Sequence, residues 1–120
     1  VGIESRGFLF GMALAQGLNV PFVPLRKPGK LPAATFSYAY DLEYGQAEVE
    51  IHQDALEPGQ RVLIHDDLLA TGGTAEAAAE LVRRCKAEVA GFTFIIGLSF
   101  LSGEKRLEKY DAQIESILSY

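Results

Sequence analysis

The sequence predicts an α/β domain: a mainly parallel sheet flanked by helices, with an antiparallel flap hairpin beside it. Three observations carry that reading. Short apolar runs alternate with helical patterns, the order expected of βαβ units. The run Arg61–His65 is apolar on both faces, as a central strand buried under two layers should be. Two runs in the middle of the chain alternate, the mark of strands with one wet face: in Tyr38–Leu42 the large residues take every second place, and in Glu48–His52 apolar and polar residues swap strictly.

Taken in order, Val1–Ile3 reads as a strand, Phe8–Leu18 as a helix and Pro21–Leu25 as a second short strand, which closes one βαβ unit. Residues 26–35 hold Lys, Pro and Gly without periodicity and read as a mobile loop. Tyr38–Leu42 and Glu48–His52 alternate and form the flap, turning at Glu43–Gln46; Glu48 and Glu50 belong to its wet face. "EPGQ" at Glu57–Gln60 is a turn, and the strand Arg61–His65 follows it. A helix near Thr74–Lys86 carries Arg83, Arg84 and Lys86 at its end, where the dipole favours cations. Cys85 lies on the Ala78–Leu81–Val82–Cys85 stripe of that helix and is assigned to the core. Val89–Phe100 contains a further strand, Ser102–Tyr110 a short polar helix, and Gln113–Leu118 a last strand.

The chain has 120 residues, a length that suits one domain over 1–120 with a sizeable core. Its net charge of −5, from 16 acidic and 11 basic residues, comes without a long basic stripe, so nucleic acid is a poor partner. Three of the cations crowd into "LRKPGK" (Arg26, Lys27, Lys30), which reads either as a solvated loop or as a local anion site. A single cysteine and the absence of a signal peptide or long apolar run point to a reducing cytoplasm and no membrane. The chain opens on Val1, not Met, in an apolar strand already under way, and a preceding segment is expected.

The chemistry concentrates in "VLIHDDLLATGGT", Val62–Thr74. A phosphate held at the end of a parallel strand needs close backbone, inward amides and a helix that starts there. Gly72 and Gly73 remove the Cβ atoms that would block the approach, Thr71 and Thr74 add hydroxyls, and Ala70 leads into the bend. No lysine follows the glycines and no GxGxxG occurs, so neither a triphosphate loop nor a dinucleotide loop is present. Asp66 and Asp67 cannot share that phosphate, because carboxylates only accept hydrogen bonds. They suit vicinal hydroxyls or the water on a metal. A phosphate at one end and two hydroxyls nearby describe a ribose 5-phosphate.

These residues resemble the ribose-phosphate motif of the type I phosphoribosyltransferases. "GIESRGFLFG", "RKPGKLP", "LEYGQAEVEIHQDALEPGQRV" and "DDLLATGGT" are similar to segments of that family in the same order, and they resemble its adenine-using branch most. The resemblance implies transfer of a 5-phosphoribosyl group from phosphoribosyl pyrophosphate to adenine, giving AMP and pyrophosphate. It implies that Asp66, Asp67 and Ala70–Thr74 hold the ribose 5-phosphate. Ser5, Arg6 and Gly7, with Arg26, Lys27 and Lys30, would hold the pyrophosphate. A non-proline cis peptide is expected at Glu4–Ser5. Glu43 would serve the purine N7 as general acid/base and Tyr44 would shield the reacting centre. Mg²⁺ would ride on substrate oxygens and water, with no first-shell protein ligand. The family's homodimers let such an arginine as Arg26 reach the neighbouring site, and a hood segment before the first strand contacts the base. A transferase for xanthine, guanine or orotate, and a non-catalytic regulator that senses phosphoribosyl pyrophosphate, stay open as rivals. His52 and His65 form no paired metal spacing and are assigned structural or solvated places, His65 on the buried side of the sheet.

Overall fold

The computed structural model describes residues 1–42 and 44–120. Five strands form a fully parallel sheet in the order β2-β1-β5-β6-β7, with β1 at Gly2–Ile3, β2 at Pro24–Leu25, β5 at Arg61–Leu69, β6 at Glu88–Gly97 and β7 at Gln113–Ser119. Two further strands, β3 (Thr35–Asp41) and β4 (Gln46–His52), pair antiparallel as a separate hairpin. Helix α1 (Gly7–Leu18) packs on β1 and β5, and α2 (Gly73–Arg84) packs on β5 and β6. The short α3 covers Gly103–Leu107. The architecture is the expected one.

The core explains why these segments take these places. Ile64, Phe92 and Phe94 from β5 and β6 are buried, as are Leu81, Val82 and the alanine face of α2. Small residues at Ala75 and Ala77–Ala79 let α2 lie close to its neighbours. Cys85 is buried at the end of α2, as its stripe predicts. Ile64→Val removes one methylene from a side chain with no accessible surface. It is expected to cost about 0.5–1.5 kcal/mol, read as a lower urea midpoint at constant slope.

Two strands depart from the sequence reading for a clear physical reason. The expected strand Pro21–Leu25 shortens to two residues. Phe22 instead packs its ring between β1 and α1, where a Cβ on Gly2 or on Gly11 would lie 2.6 or 2.9 Å from it. The strand expected to stop at His65 runs on through both aspartates to Leu69. The ladder to β6 continues at Asp66↔Phe94 and Leu68↔Ile96, and pairing overrides the low strand preference of aspartate.

The loop read as mobile is pinned at its start, where Arg26 and Glu50 exchange backbone hydrogen bonds of 2.9 and 2.7 Å. That bridge ties the hairpin to the edge of the sheet. The other side of the hairpin lies on α2: Arg84 Nη1 donates to the Ser37 carbonyl at 2.9 Å, and its guanidinium stacks 4.8 Å from the Phe36 ring centre.

Candidate functional site

The site is built at the carboxyl ends of β1 and β5. After Leu69 the chain bends through Ala70–Gly72 and enters α2 at Gly73. Gly72 is required twice over. Its φ of +88° is left-handed, and a Cβ there would sit 2.8 Å from the Gly103 carbonyl oxygen. No side chain caps α2. The amides of a first helical turn have no intrahelical partner, so this bend presents N–H groups and the positive end of a dipole to whatever lies in front of it. Thr71 is exposed, while Thr74 Oγ1 donates to Tyr40 Oη at 3.0 Å.

The acidic pair stands one step earlier on the same strand. Asp66 Oδ1 accepts from the Asp67 amide at 2.8 Å, and Asp67 Oδ2 forms an ion pair with Arg6 Nε at 2.9 Å. Gly7 favours this approach: a Cβ there would lie 3.1 Å from both Asp66 Oδ1 and the His65 carbonyl oxygen, so a side chain would force the start of α1 and β5 apart by a few tenths of an ångström. Burial pushes the Asp66 carboxyl up to about 7; the neighbouring Asp67 carboxylate adds to the rise, while the Asp67 amide and Arg6 oppose it. Asp66 is thus poised to change charge near neutrality.

The loop after β1 carries a cis Glu4–Ser5 peptide, at the bond where the resemblance places one. Glu4 organises the basic segment. Its Oε1 accepts from Arg26 Nε and from the Lys27 amide, both at 3.1 Å. Burial works against its charge, but those two donors outweigh it and hold Glu4 below the usual carboxylate range. Arg26 also reaches the Lys30 carbonyl at 3.4 Å, so its guanidinium is engaged within its own chain. The side chains of Ser5, Lys27 and Lys30 face solvent.

The structure therefore joins Arg6 and Gly7 to Asp66 and Asp67, joins Arg26 to Glu4, and sets the glycine bend at the end of the same strand. Tyr44 is not brought in: it is 88% exposed at the hairpin tip. Glu43, the expected acid/base, lies outside the described residues.

Four further residues shape the site without having been singled out. Glu4 holds the basic segment. Glu50, read as wet face, accepts from the Gly29 amide at 2.9 Å and from Thr35 Oγ1 at 3.1 Å, and so orders the far side of that segment. Arg106 of α3 brings Nη1 to 2.9 Å from where a Cβ of Gly73 would stand, with Glu76 as its ion-pair partner at 3.6 Å. Tyr40 meets Thr74. Tyr40 and Glu50 had a local signal, their places in alternating runs, but the partners of all four depend on long-range packing. His65 is buried under α1, Nδ1 against Thr93 Oγ1 at 3.0 Å, on the side of the sheet the sequence assigned to it.

A parallel sheet with its ligand-facing groups at the carboxyl ends of the strands, next to a capless helix, defines an α/β domain of the nucleotide- and sugar-phosphate-handling class. The family model for the phosphoribosyl transferase domain matches residues 1–118, and the chain belongs to that family, in its adenine phosphoribosyltransferase group. An adenine phosphoribosyltransferase of Trichodesmium erythraeum is 57% identical over 120 residues, which is 100% of this chain and 69% of the relative. The crystal structure of adenine phosphoribosyltransferase from Thermoanaerobacter pseudethanolicus superposes with a TM-score of 0.95 at 53% identity, covering 99% of this chain and 68% of that one. The Trypanosoma brucei enzyme in complex with AMP, pyrophosphate and ribose-5-phosphate gives a TM-score of 0.90 at 31% identity, covering 98% and 54%.

Proposed function

We propose that this chain is the core of an enzyme that moves a 5-phosphoribosyl group from phosphoribosyl pyrophosphate to adenine, releasing pyrophosphate and forming AMP. One observation carries the reading: a capless glycine bend and a carboxylate pair occupy the same strand end, with Arg6 bridged to Asp67. The ligands of the similar Trypanosoma brucei structure agree with it.

The chemistry follows from charge. The adenine N9 lone pair forms a bond to the anomeric carbon, the anomeric C–O bond breaks, the electron pair leaves with pyrophosphate, and the proton carried on N7 is lost. Positive charge builds on the ring while negative charge builds on the leaving group, so the site has to stabilise both and limit water. Ala70–Thr74 hold the 5-phosphate with backbone amides and hydroxyls. Asp66 and Asp67 accept from the ring hydroxyls, and their negative charge favours the cationic ring. Ser5, Arg6 and Gly7 with Arg26, Lys27 and Lys30 receive the pyrophosphate. Glu43 exchanges a proton with the purine N7, and Tyr44 shields the centre from the hairpin tip.

A magnesium ion fits this set in a particular way. Among the described residues no three His, Cys, Asp or Glu side chains converge on one point. The two adjacent carboxylates offer oxygen donors alone, which a hard, water-keeping ion accepts. Asp66 and Asp67 would take hydrogen bonds from its waters and from the sugar hydroxyls. When bound, the ion supplies positive charge to the departing pyrophosphate.

The same reading makes the protein a cytoplasmic homodimer with phosphoribosyl pyrophosphate, adenine and AMP as its small-molecule partners. Among the described residues no helix is long and apolar enough to cross a membrane. The complete chain, given phosphoribosyl pyrophosphate, Mg²⁺ and each base in turn, is expected to form nucleotide from adenine. Turnover with hypoxanthine, guanine or orotate but not adenine would reassign the base. Tight ligand binding with no turnover on any base would favour a sensor.

A further inference from the structure

The Tyr40 hydroxyl has one hydrogen-bond partner among the described residues, and it is a phosphate-loop hydroxyl. Tyr40 sits on β3 and is half-buried. Its ring lies against Gly73, Cδ2 being 3.6 Å from where a Cβ would stand there, and its Oη meets Thr74 Oγ1 at 3.0 Å. A phenylalanine would fill the same apolar space, so the hydroxyl needs its own explanation.

A threonine hydroxyl has one proton to give. If Tyr40 accepts that proton across the 3.0 Å contact, Thr74 has none left for a phosphate oxygen. If Tyr40 donates instead, Thr74 accepts through a lone pair and its proton turns towards the loop. The chain then runs from Tyr40 O–H to Thr74 Oγ1, and from Thr74 O–H to the anion. Two hydroxyls oriented in series polarise each other in the same direction. The arrangement also links β3 to the bend, so whatever orders Thr74 orders the strand that carries the hairpin.

We propose that Tyr40 is a positioning residue for the phosphate seat: it donates to Thr74 so that Thr74 can donate to the 5-phosphate, and it thereby couples anion binding to the order of β3. This rests on the phosphoribosyl reading given above. Arg84, which holds Ser37 and Phe36 from the other end of α2, anchors β3 independently of the ligand. The Tyr40 link is the one that depends on occupancy.

The test uses the complete chain and ribose 5-phosphate as the probe. By calorimetry, Tyr40→Phe is expected to weaken binding by about 2- to 10-fold, the range of one neutral hydrogen bond. The pair Tyr40→Phe/Thr74→Val is expected to bind no worse than Thr74→Val alone, because both changes break one chain. In hydrogen exchange, saturating ribose 5-phosphate is expected to slow the amides of Ser37–Asp41 in the wild type and to leave them unchanged in Tyr40→Phe. A merely structural tyrosine would not move that ligand-dependent difference. Wild-type affinity in Tyr40→Phe, or losses that multiply in the double variant, would overturn the proposal while leaving the phosphoribosyl reading intact. A wild-type chain that fails to bind ribose 5-phosphate at all would overturn both.

Discussion

Gly72→Ala is expected to abolish measurable ribose 5-phosphate binding and to lower the melting temperature, while Gly59→Ala does only the second. Both glycines have positive φ, +88° and +81°. An alanine held in the left-handed region costs about 1–2 kcal/mol. The surroundings separate the two. A Cβ at Gly59 meets nothing within 4 Å, but at Gly72 it meets the Gly103 carbonyl oxygen at 2.8 Å and Arg106 Cβ at 3.3 Å. The first is backbone and cannot swing aside. Gly103 is itself fixed, since a Cβ on it would lie 2.5 Å from the Ala70 carbonyl oxygen. The strain at Gly72 is relieved only if the bend moves off α3, and that carries the amides of α2 away from the anion. We expect at least a hundredfold loss of affinity, roughly 3 kcal/mol, on top of the stability loss that Gly59→Ala isolates. Calorimetry with ribose 5-phosphate and thermal melts on both variants check it. Unchanged binding in Gly72→Ala would mean that the bend is not the phosphate seat.

How far the site could be read in advance follows from the range of the interactions. The bend was legible because its requirements are local: two glycines, flanking hydroxyls and a helix start within five residues. The acidic pair was legible as chemistry but not as structure. The strand seemed complete at His65 because two aspartates disfavour a ladder, and only the pairing of Asp66 with Phe94 on β6 keeps them in it. The βαβ order and the hairpin followed from periodicity, with the short β2 as the exception, since Phe22 serves α1 rather than the ladder. Glu4, Glu50 and Arg106 could not have been found from spacing. Their partners lie 22, 21 and 30 residues away in the chain, and the contacts exist only once α1, the hairpin and α3 have docked. Local pattern therefore located the chemistry, and tertiary packing selected the residues that hold it still.

Asp66 should make sugar-phosphate binding and stability respond to pH in opposite directions. Its carboxyl lies near 7 instead of 3.8, chiefly through burial and then through Asp67 beside it. A group that holds its proton more tightly when folded stabilises the fold while protonated. That contribution is complete below about pH 4 and is lost as pH rises through about 7. Binding needs the opposite state, because ring hydroxyls donate and only the ionised carboxylate accepts freely from them. Ribose 5-phosphate affinity is therefore expected to fall as pH drops from 8 towards 6, approaching tenfold per unit, with a proton released on binding. The phosphate also titrates, with a second pKa near 6, so the decisive measurement is Asp66→Asn. The amide keeps the phosphate's titration but removes the component near 7. It should bind about 10- to 100-fold more weakly at pH 8, the range for a hydrogen bond to a charged group. Its stability should also no longer decline between about pH 4 and 7, since the titrating carboxyl is gone while the Arg6–Asp67 pair at 2.9 Å remains. If Asp66→Asn kept the wild-type slope of affinity against pH, the sugar hydroxyls would have to be held by Asp67 alone, at the expense of that pair.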